Sequence, residues 1–397
     1  MTGTSHGSIV AFSGGEVRIE GQLALEENAG ALRPTRIPSR FWSHFPPEDQ
    51  ILRAMISSAS GVRLQLQTDA TQLELDVRCT AIEIGGVQRP GTAFVARVKD
   101  RAEVTLEAPV DHVRQIASPG EATTREIRDH SMIELGPLPA GPKTVTIFLP
   151  QGMIIDLLDV RASGGVRAPT PSTSPVWVHY GSSISHCAEA ELPTSVWPVR
   201  AADLAGADVI NLGFGGQCML DPFVADAIAQ TPADVISVKV GVNIVGARAM
   251  DRRTFVPALH GFLDRVRVGH PDTPIVLCSA ILWPGSEVVP GPADVEFFDD
   301  GGLRCFTRGD TADIPLGALT LADSRAQVAH VVEVRRAAGE NIVYLDGTEL
   351  FGTNDLATYR MPDSLHPDTE LYEEIGRRFA ALVFASEGLS PLPARTS

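Results

Sequence analysis

The chain has 397 residues, of which 49 are acidic and 33 basic, giving a formal charge of −16. A negative field of this size repels phosphate backbones and anionic lipid, so nucleic acid and charged membranes are excluded as expected partners. The length exceeds what one hydrophobic core needs, so two domains are expected.

The opening MTGTSHGSIVAFSGG lacks the basic stretch and apolar run of an export signal. No run of about eighteen apolar residues follows anywhere, so no membrane span is expected. The five cysteines, Cys79, Cys187, Cys218, Cys278 and Cys305, are scattered and odd in number. They do not read as a disulfide framework, and a reducing cytoplasm fits best.

Up to about residue 162 the chain reads as strands. Apolar and polar residues alternate over 62–66 and 72–78, and less regularly over 92–98 and 144–149. Gly, Pro and Asp clusters separate these runs at short intervals, which predicts an antiparallel sandwich. A short helix is expected over 47–56. Breakers then crowd 163–175, the expected junction. The division predicted is an N-terminal β-sandwich over 1–165, a linker over 166–175 and a catalytic domain over 176–390.

From residue 176 short apolar runs alternate with helical patterns. Strands are expected over 176–180, 209–212, 235–240, 275–280 and 342–345. Helices are expected over 199–205, 222–229, 254–266, 322–338 and 369–384. Repeated strand and helix predicts an α/β fold with a parallel sheet covered on both faces. Residues 283–320 show neither pattern. They read as a functional loop or lid, or as a surface insertion.

Four short stretches carry the chemistry. In Tyr180-Gly181-Ser182-Ser183-Ile184 a strand runs into a glycine and then hydroxyl residues. A serine just past the C-terminal end of a parallel strand sits where ligands bind, although serine is also a common helix cap. Asn211-Leu212-Gly213-Phe214-Gly215-Gly216 follows the second strand and Gly241-Val242-Asn243 the third. A glycine N–H and an amide there can donate to a developing oxyanion. Near the other end, Asp363-Ser364-Leu365-His366 puts a carboxylate and an imidazole three residues apart. The carboxylate can fix the tautomer while the other ring nitrogen takes a proton from a hydroxyl.

Together these blocks resemble the SGNH (GDSL-like) hydrolase family, with Ser182 in place of the usual Asp, as in its Gly-Ser-Ser-Ile branch. The resemblance implies a flavodoxin-like catalytic domain over residues 176–384. It implies Ser183, Asp363 and His366 as the catalytic residues. The oxyanion donors would be the N–H groups of Ser183 and Gly216 and the amide of Asn243. Several branches carry an N-terminal sandwich, here expected to be jelly-roll-like and either of carbohydrate-binding type or a structural partner. Trp283 and His186 are candidate substrate-binding residues. His179, Cys187 and Cys218 read as core residues.

No metal site or cofactor is expected. The assembly also resembles GDSL-type acyltransferases of tetracycline-type polyketide tailoring. That points to acyl transfer from an acyl-CoA thioester, a substrate rather than a cofactor, to a hydroxyl of a small natural product. An intracellular carboxylesterase or deacetylase of small or sugar esters is the alternative. A third reading is a carbohydrate-binding protein with a degenerate catalytic half.

Overall fold

The computed structural model describes residues 8–10, 12, 15–99, 101, 103–118, 120–298 and 302–392. Most of the stretch read for an export signal, and Asp299-Asp300-Gly301 of the irregular segment, lie outside these residues. The chain divides into two compact units, Met1–Thr173 with Glu191–Thr194 and Ser174–Ala190 with Ser195–Ser397.

The first unit holds a nine-stranded and a six-stranded sheet that share one apolar core. Strand Arg63–Thr68 shows how the pattern works. Leu64 and Leu66 are fully buried, while Gln65 and Gln67 between them are half-exposed. Phe94, Val145 and Ile147 join them from the same sheet, and Leu75, Val77, Ile155 and Leu157 from the other.

One expectation is corrected here. The larger sheet is mixed, because strand His112–Ser118 runs parallel to Leu73–Ile84, with His112 opposite Thr80. Alternation reports which face of a strand is buried and carries no information on direction. Strand Leu73–Ile84 is also twelve residues long, well past the alternating run at 72–78. It pairs with Met153–Ala162 on one side and with Ser131–Leu135 and His112–Ser118 on the other. Its middle, residues 75–82, is buried at every position and so on both faces, and the period-two signal vanishes there. Val166–Arg167, at the start of the breaker-rich stretch, pairs with Arg63–Thr68.

The second unit is built on five parallel strands. Their spatial order is Asp208–Gly213, Val176–Gly181, Val235–Lys239, Ile275–Cys278, Ile342–Leu345. In chain order this is 2-1-3-4-5, the flavodoxin-like arrangement, with its switch point between the first and third strands. Helices Trp197–Ala205, Pro222–Ala229, Arg252–Gly269, Leu321–Ala337 and Thr369–Phe379 match the helical patterns to within a few residues. An aromatic cluster fixes the last helix: Phe379 stacks on Trp177 at 5.0 Å and also packs on Trp197. Among the described residues no helix is long and apolar enough to cross a membrane.

The segment 283–320 is more ordered than its sequence suggests. It contains an antiparallel hairpin of Ala293–Phe297 and Leu303–Thr307, followed by a short 3-10 helix over Thr311–Leu316. In the second hairpin strand only Cys305 is buried. A strand with one buried residue leaves no alternation to read.

Candidate active site

The first strand ends at Gly181, and a single helical turn, Ser183–His186, follows at once. Two glycines let that turn sit hard against the sheet. A Cβ on Gly181 would lie 2.3 Å from Ser185 Oγ, and one on Gly213 would lie 2.4 Å from the Ser185 carbonyl carbon. Asn211, fully buried, ties the two together. Its amide nitrogen donates to Ser185 O at 2.8 Å, and its oxygen accepts from Gly213 N at 3.0 Å. The turn stops at Cys187, whose φ of 55° is left-handed.

The two adjacent serines part company here. Ser182 is the helix cap, its Oγ accepting from Ile184 N at 3.3 Å. Ser183 Oγ lies 2.8 Å from His366 Nε2. His366 Nδ1 in turn lies 2.5 Å from Asp363 Oδ2. Against an ionised carboxylate Nδ1 must carry the proton, so in the neutral imidazole Nε2 is the nitrogen that can accept one from Ser183.

Asp363 is held from several sides. Its Oδ1 accepts from the N–H groups of Leu365 and His366 at 2.9 and 2.6 Å. Its carbonyl accepts from Cys305 N at 2.7 Å, and the Cys305 thiol donates to Oδ2 at 3.7 Å. The hairpin thus braces the loop that carries the acid. Ser364, between the pair, adopts a left-handed φ of 69° that closes the loop tightly.

The electrostatics favour an ion pair. Burial opposes ionisation of Asp363, but the hydrogen bond and charge of His366, with the two backbone donors, outweigh it and hold the carboxyl below its usual range. Burial likewise opposes the imidazolium of His366. The charge of Glu189, the hydrogen bond to Asp363 and the Cys305 contact outweigh that and hold His366 well above its ordinary value. Glu189 accepts from the Tyr372 hydroxyl at 2.9 Å.

Beyond the second strand, Gly216 has a φ of 71° and open space where a side chain would stand. Beyond the third, Asn243 Oδ1 accepts from Cys218 N at 3.1 Å. That contact orients the amide and leaves its N–H2 as the remaining donor. If the amide serves an oxyanion, Asn243→Ala should lower kcat about 10²–10³-fold with little change in KM, measured by steady-state kinetics.

The remaining candidates divide. Trp283 is 1% exposed and lines a cavity of about 550 Å³ together with Cys305 and Ser364. His186 is fully buried in the short helix and does not line that cavity. His179 is a core residue, bonded to Ser237 Oγ at 2.7 Å and Ser185 Oγ at 2.8 Å. Cys187 and Cys218 are buried, and burial pushes the Cys218 thiol up to about 12, which rules out a ready thiolate there. Among the described residues Cys305, Asp363 and His366 bring three donor atoms within 4.8 Å. Two of the three already share the imidazole–carboxylate hydrogen bond.

Sequence reasoning missed Glu189, Tyr372 and Cys305. Glu189 and Tyr372 lie 183 residues apart and meet only through the fold. No local motif marks either one.

Comparison with known proteins follows the same lines. The model of the GDSL-like Lipase/Acylhydrolase family matches residues 174–288. No curated protein matches the sequence. Among solved structures, a salicylyl-acyltransferase from a tetracycline biosynthetic pathway is similar at 27% identity and a TM-score of 0.74, over 95% of this chain and 96% of that one. A Bacteroides ovatus protein described as a putative GDSL-like lipase shares 16% identity at a TM-score of 0.63, over 94% and 95%. A family two carbohydrate esterase from Clostridium thermocellum shares 16% identity at 0.53, over 82% and 92%, a likeness of fold alone. A flavodoxin-like sheet with a serine, imidazole and carboxylate in line at its edge accords with this likeness to the GDSL-like hydrolases and acyltransferases, whose family model matches the first part of the second unit.

Proposed function

We propose that the protein transfers an acyl group through an acyl-enzyme on Ser183, from an acyl-CoA thioester to a hydroxyl of a polyketide or similar small natural product. The observation that carries this reading is the chain of contacts from Ser183 Oγ through His366 to Asp363, 2.8 and 2.5 Å long. The likeness to the salicylyl-acyltransferase along nearly the whole of both chains supports transfer over hydrolysis.

In this reading His366 Nε2 takes the Ser183 proton as Oγ attacks the thioester carbonyl. The N–H groups of Ser183 and Gly216 and the Asn243 amide receive the oxyanion. As the intermediate collapses, the C–S bond breaks and the departing thiolate takes the proton from His366. The acceptor hydroxyl then gives its proton to His366 and attacks the acyl-enzyme. The product ester leaves, and Ser183 regains the proton. Asp363 keeps the imidazole oriented and stabilises its charge throughout.

The domain plan proposed with it is a jelly-roll-like sandwich over 1–165, of carbohydrate-binding type or a structural partner, a linker over 166–175 and the catalytic domain over 176–390. Five free, buried cysteines suit a reducing compartment such as the cytoplasm.

Intact-mass spectrometry with a panel of acyl-CoA thioesters and aryl esters tests the reading. A stable adduct on Ser183 from the CoA donors, released by a hydroxyl acceptor and not by water, is expected. Rapid turnover of simple esters with no reaction of CoA thioesters would replace transfer by ester hydrolysis.

The charge around His366 adds a pH prediction. A base serves only when neutral, and the raised His366 value extends the protonated form upward in pH. Activity should therefore rise with pH through a midpoint above the ordinary histidine value, and fall away below it. Glu189→Gln removes the charge that most favours the imidazolium, so its kcat/KM–pH profile should shift to lower pH. An unmoved midpoint would remove Glu189 from this account.

A further inference from the structure

The hairpin, the loop after the fourth strand and the segment after the fifth line an open cavity of about 550 Å³, a size suited to a small organic ligand. Its walls include Trp283, Phe306, Phe351, Tyr359, Leu356 and Met361. Arg304, Thr307, Ser364 and the Tyr359 hydroxyl add polar groups to this lining, and one further donor stands out. The indole Nε1 of Trp283 is buried and has no hydrogen-bond partner among the described residues. A buried donor without an acceptor is costly, and the exceptions call for an explanation.

The loop around Trp283 is built to keep that donor in place. Trp283 N donates to Glu287 Oε1 at 3.1 Å, and Glu287 is paired with Arg325. The Thr307 hydroxyl of the hairpin donates to Gly285 O. Ser286 Oγ donates to Val289 O at 3.1 Å. Residue 285 is a glycine, and a Cβ there would lie 3.1 Å from Trp283 Nε1. The missing side chain leaves room beside the N–H.

Among the described lining residues Arg304 is the one charged side chain, and it is exposed and paired with Glu296 at 2.7 Å, so its charge is shared with a carboxylate at the cavity's edge. We infer that this cavity binds a neutral, planar aromatic ring bearing an oxygen acceptor, with the acceptor on the Trp283 indole N–H and the ring against the aromatic walls. Its use in catalysis rests on the acyl-transfer reading: Cys305 and Ser364 line the cavity and also hold or flank Asp363, so the occupant abuts the loop that carries the acid. The ring can come from the acyl group or from the acceptor.

Binding is measured on the full-length Ser183→Ala protein by NMR titration, which needs no turnover. Acetophenone is the probe, with ethylbenzene lacking the acceptor and cyclohexyl methyl ketone lacking the aromatic ring. Acetophenone is expected to bind most tightly. Trp283→Phe keeps an aromatic wall without the N–H and should weaken acetophenone about five- to tenfold while leaving ethylbenzene unchanged. Gly285→Ala should do the same by crowding the N–H, and it leaves the indole in the core. No saturable binding of acetophenone, or equal affinity in parent and both variants, overturns the inference. In the protein with Ser183 intact, a loss in Trp283→Phe confined to acylation by benzoyl-CoA assigns the ring to the acyl group. A loss confined to transfer onto an aromatic alcohol assigns it to the acceptor. If no acyl-enzyme forms while acetophenone still binds, the chemistry fails and the binding site stands.

Discussion

Ser183→Ala is expected to abolish the acyl adduct and lower kcat by about 10⁴-fold or more. The argument rests on the division of labour between two neighbouring hydroxyls. Ser182 Oγ is committed to the Ile184 N–H as a helix cap, whereas Ser183 Oγ faces His366 Nε2 at 2.8 Å. Removing Ser183 leaves the base without a nucleophile to activate. Ser182→Ala should instead cost about 1 kcal/mol of stability, the ordinary value of a cap, and leave most of the adduct. Peptide mapping of the labelled protein locates the acyl group. Equal labelling of Ser183→Ala and the parent would overturn the assignment.

Asp363→Asn is expected to lower kcat by about 10⁴-fold while leaving the fold intact. The amide is nearly the same shape as the carboxylate, so the backbone donors at Leu365 and His366 still have an oxygen to meet. What changes is the tautomer and the charge. An amide N–H2 facing Nδ1 places the imidazole proton on Nε2, where it can no longer accept from Ser183. The loss of negative charge also removes one support of the raised His366 value. Steady-state kinetics and a thermal melt separate the two effects: kcat should collapse while Tm moves little. A variant retaining more than a tenth of the activity would show that Asp363 is not needed to orient the base.

The residues of this constellation were readable as a set of short blocks in order, since each block alone also reads as a cap, a turn or a surface residue. Ser183 follows an apolar strand and a glycine, and Asp363 and His366 share one loop. A strand buried on both faces, such as Val235–Lys239, shows as a short apolar run, and helices show as longer periodic ones. The hairpin Ala293–Phe297 and Leu303–Thr307 was not legible, because its second strand buries only Cys305. Strand His112–Ser118 was not legible either, because its buried residues Val113 and Ile116 are three apart and show no alternation.

The sequence by itself determined the α/β plan of the second unit, the order of its motif blocks and the residue types available for acyl chemistry. These follow from periodicity and from spacings of a few residues, which a chain carries whatever its tertiary contacts. Only the tertiary structure showed how the two serines are engaged, Ser182 capping the turn and Ser183 facing His366. Only it brought the charge of Glu189 to bear on His366 and Cys305 against Asp363, and left the buried indole N–H of Trp283 beside Gly285 without a partner among the described residues. Charge coupling and close packing act through space over a few ångströms, and residues far apart in sequence reach that range only after folding.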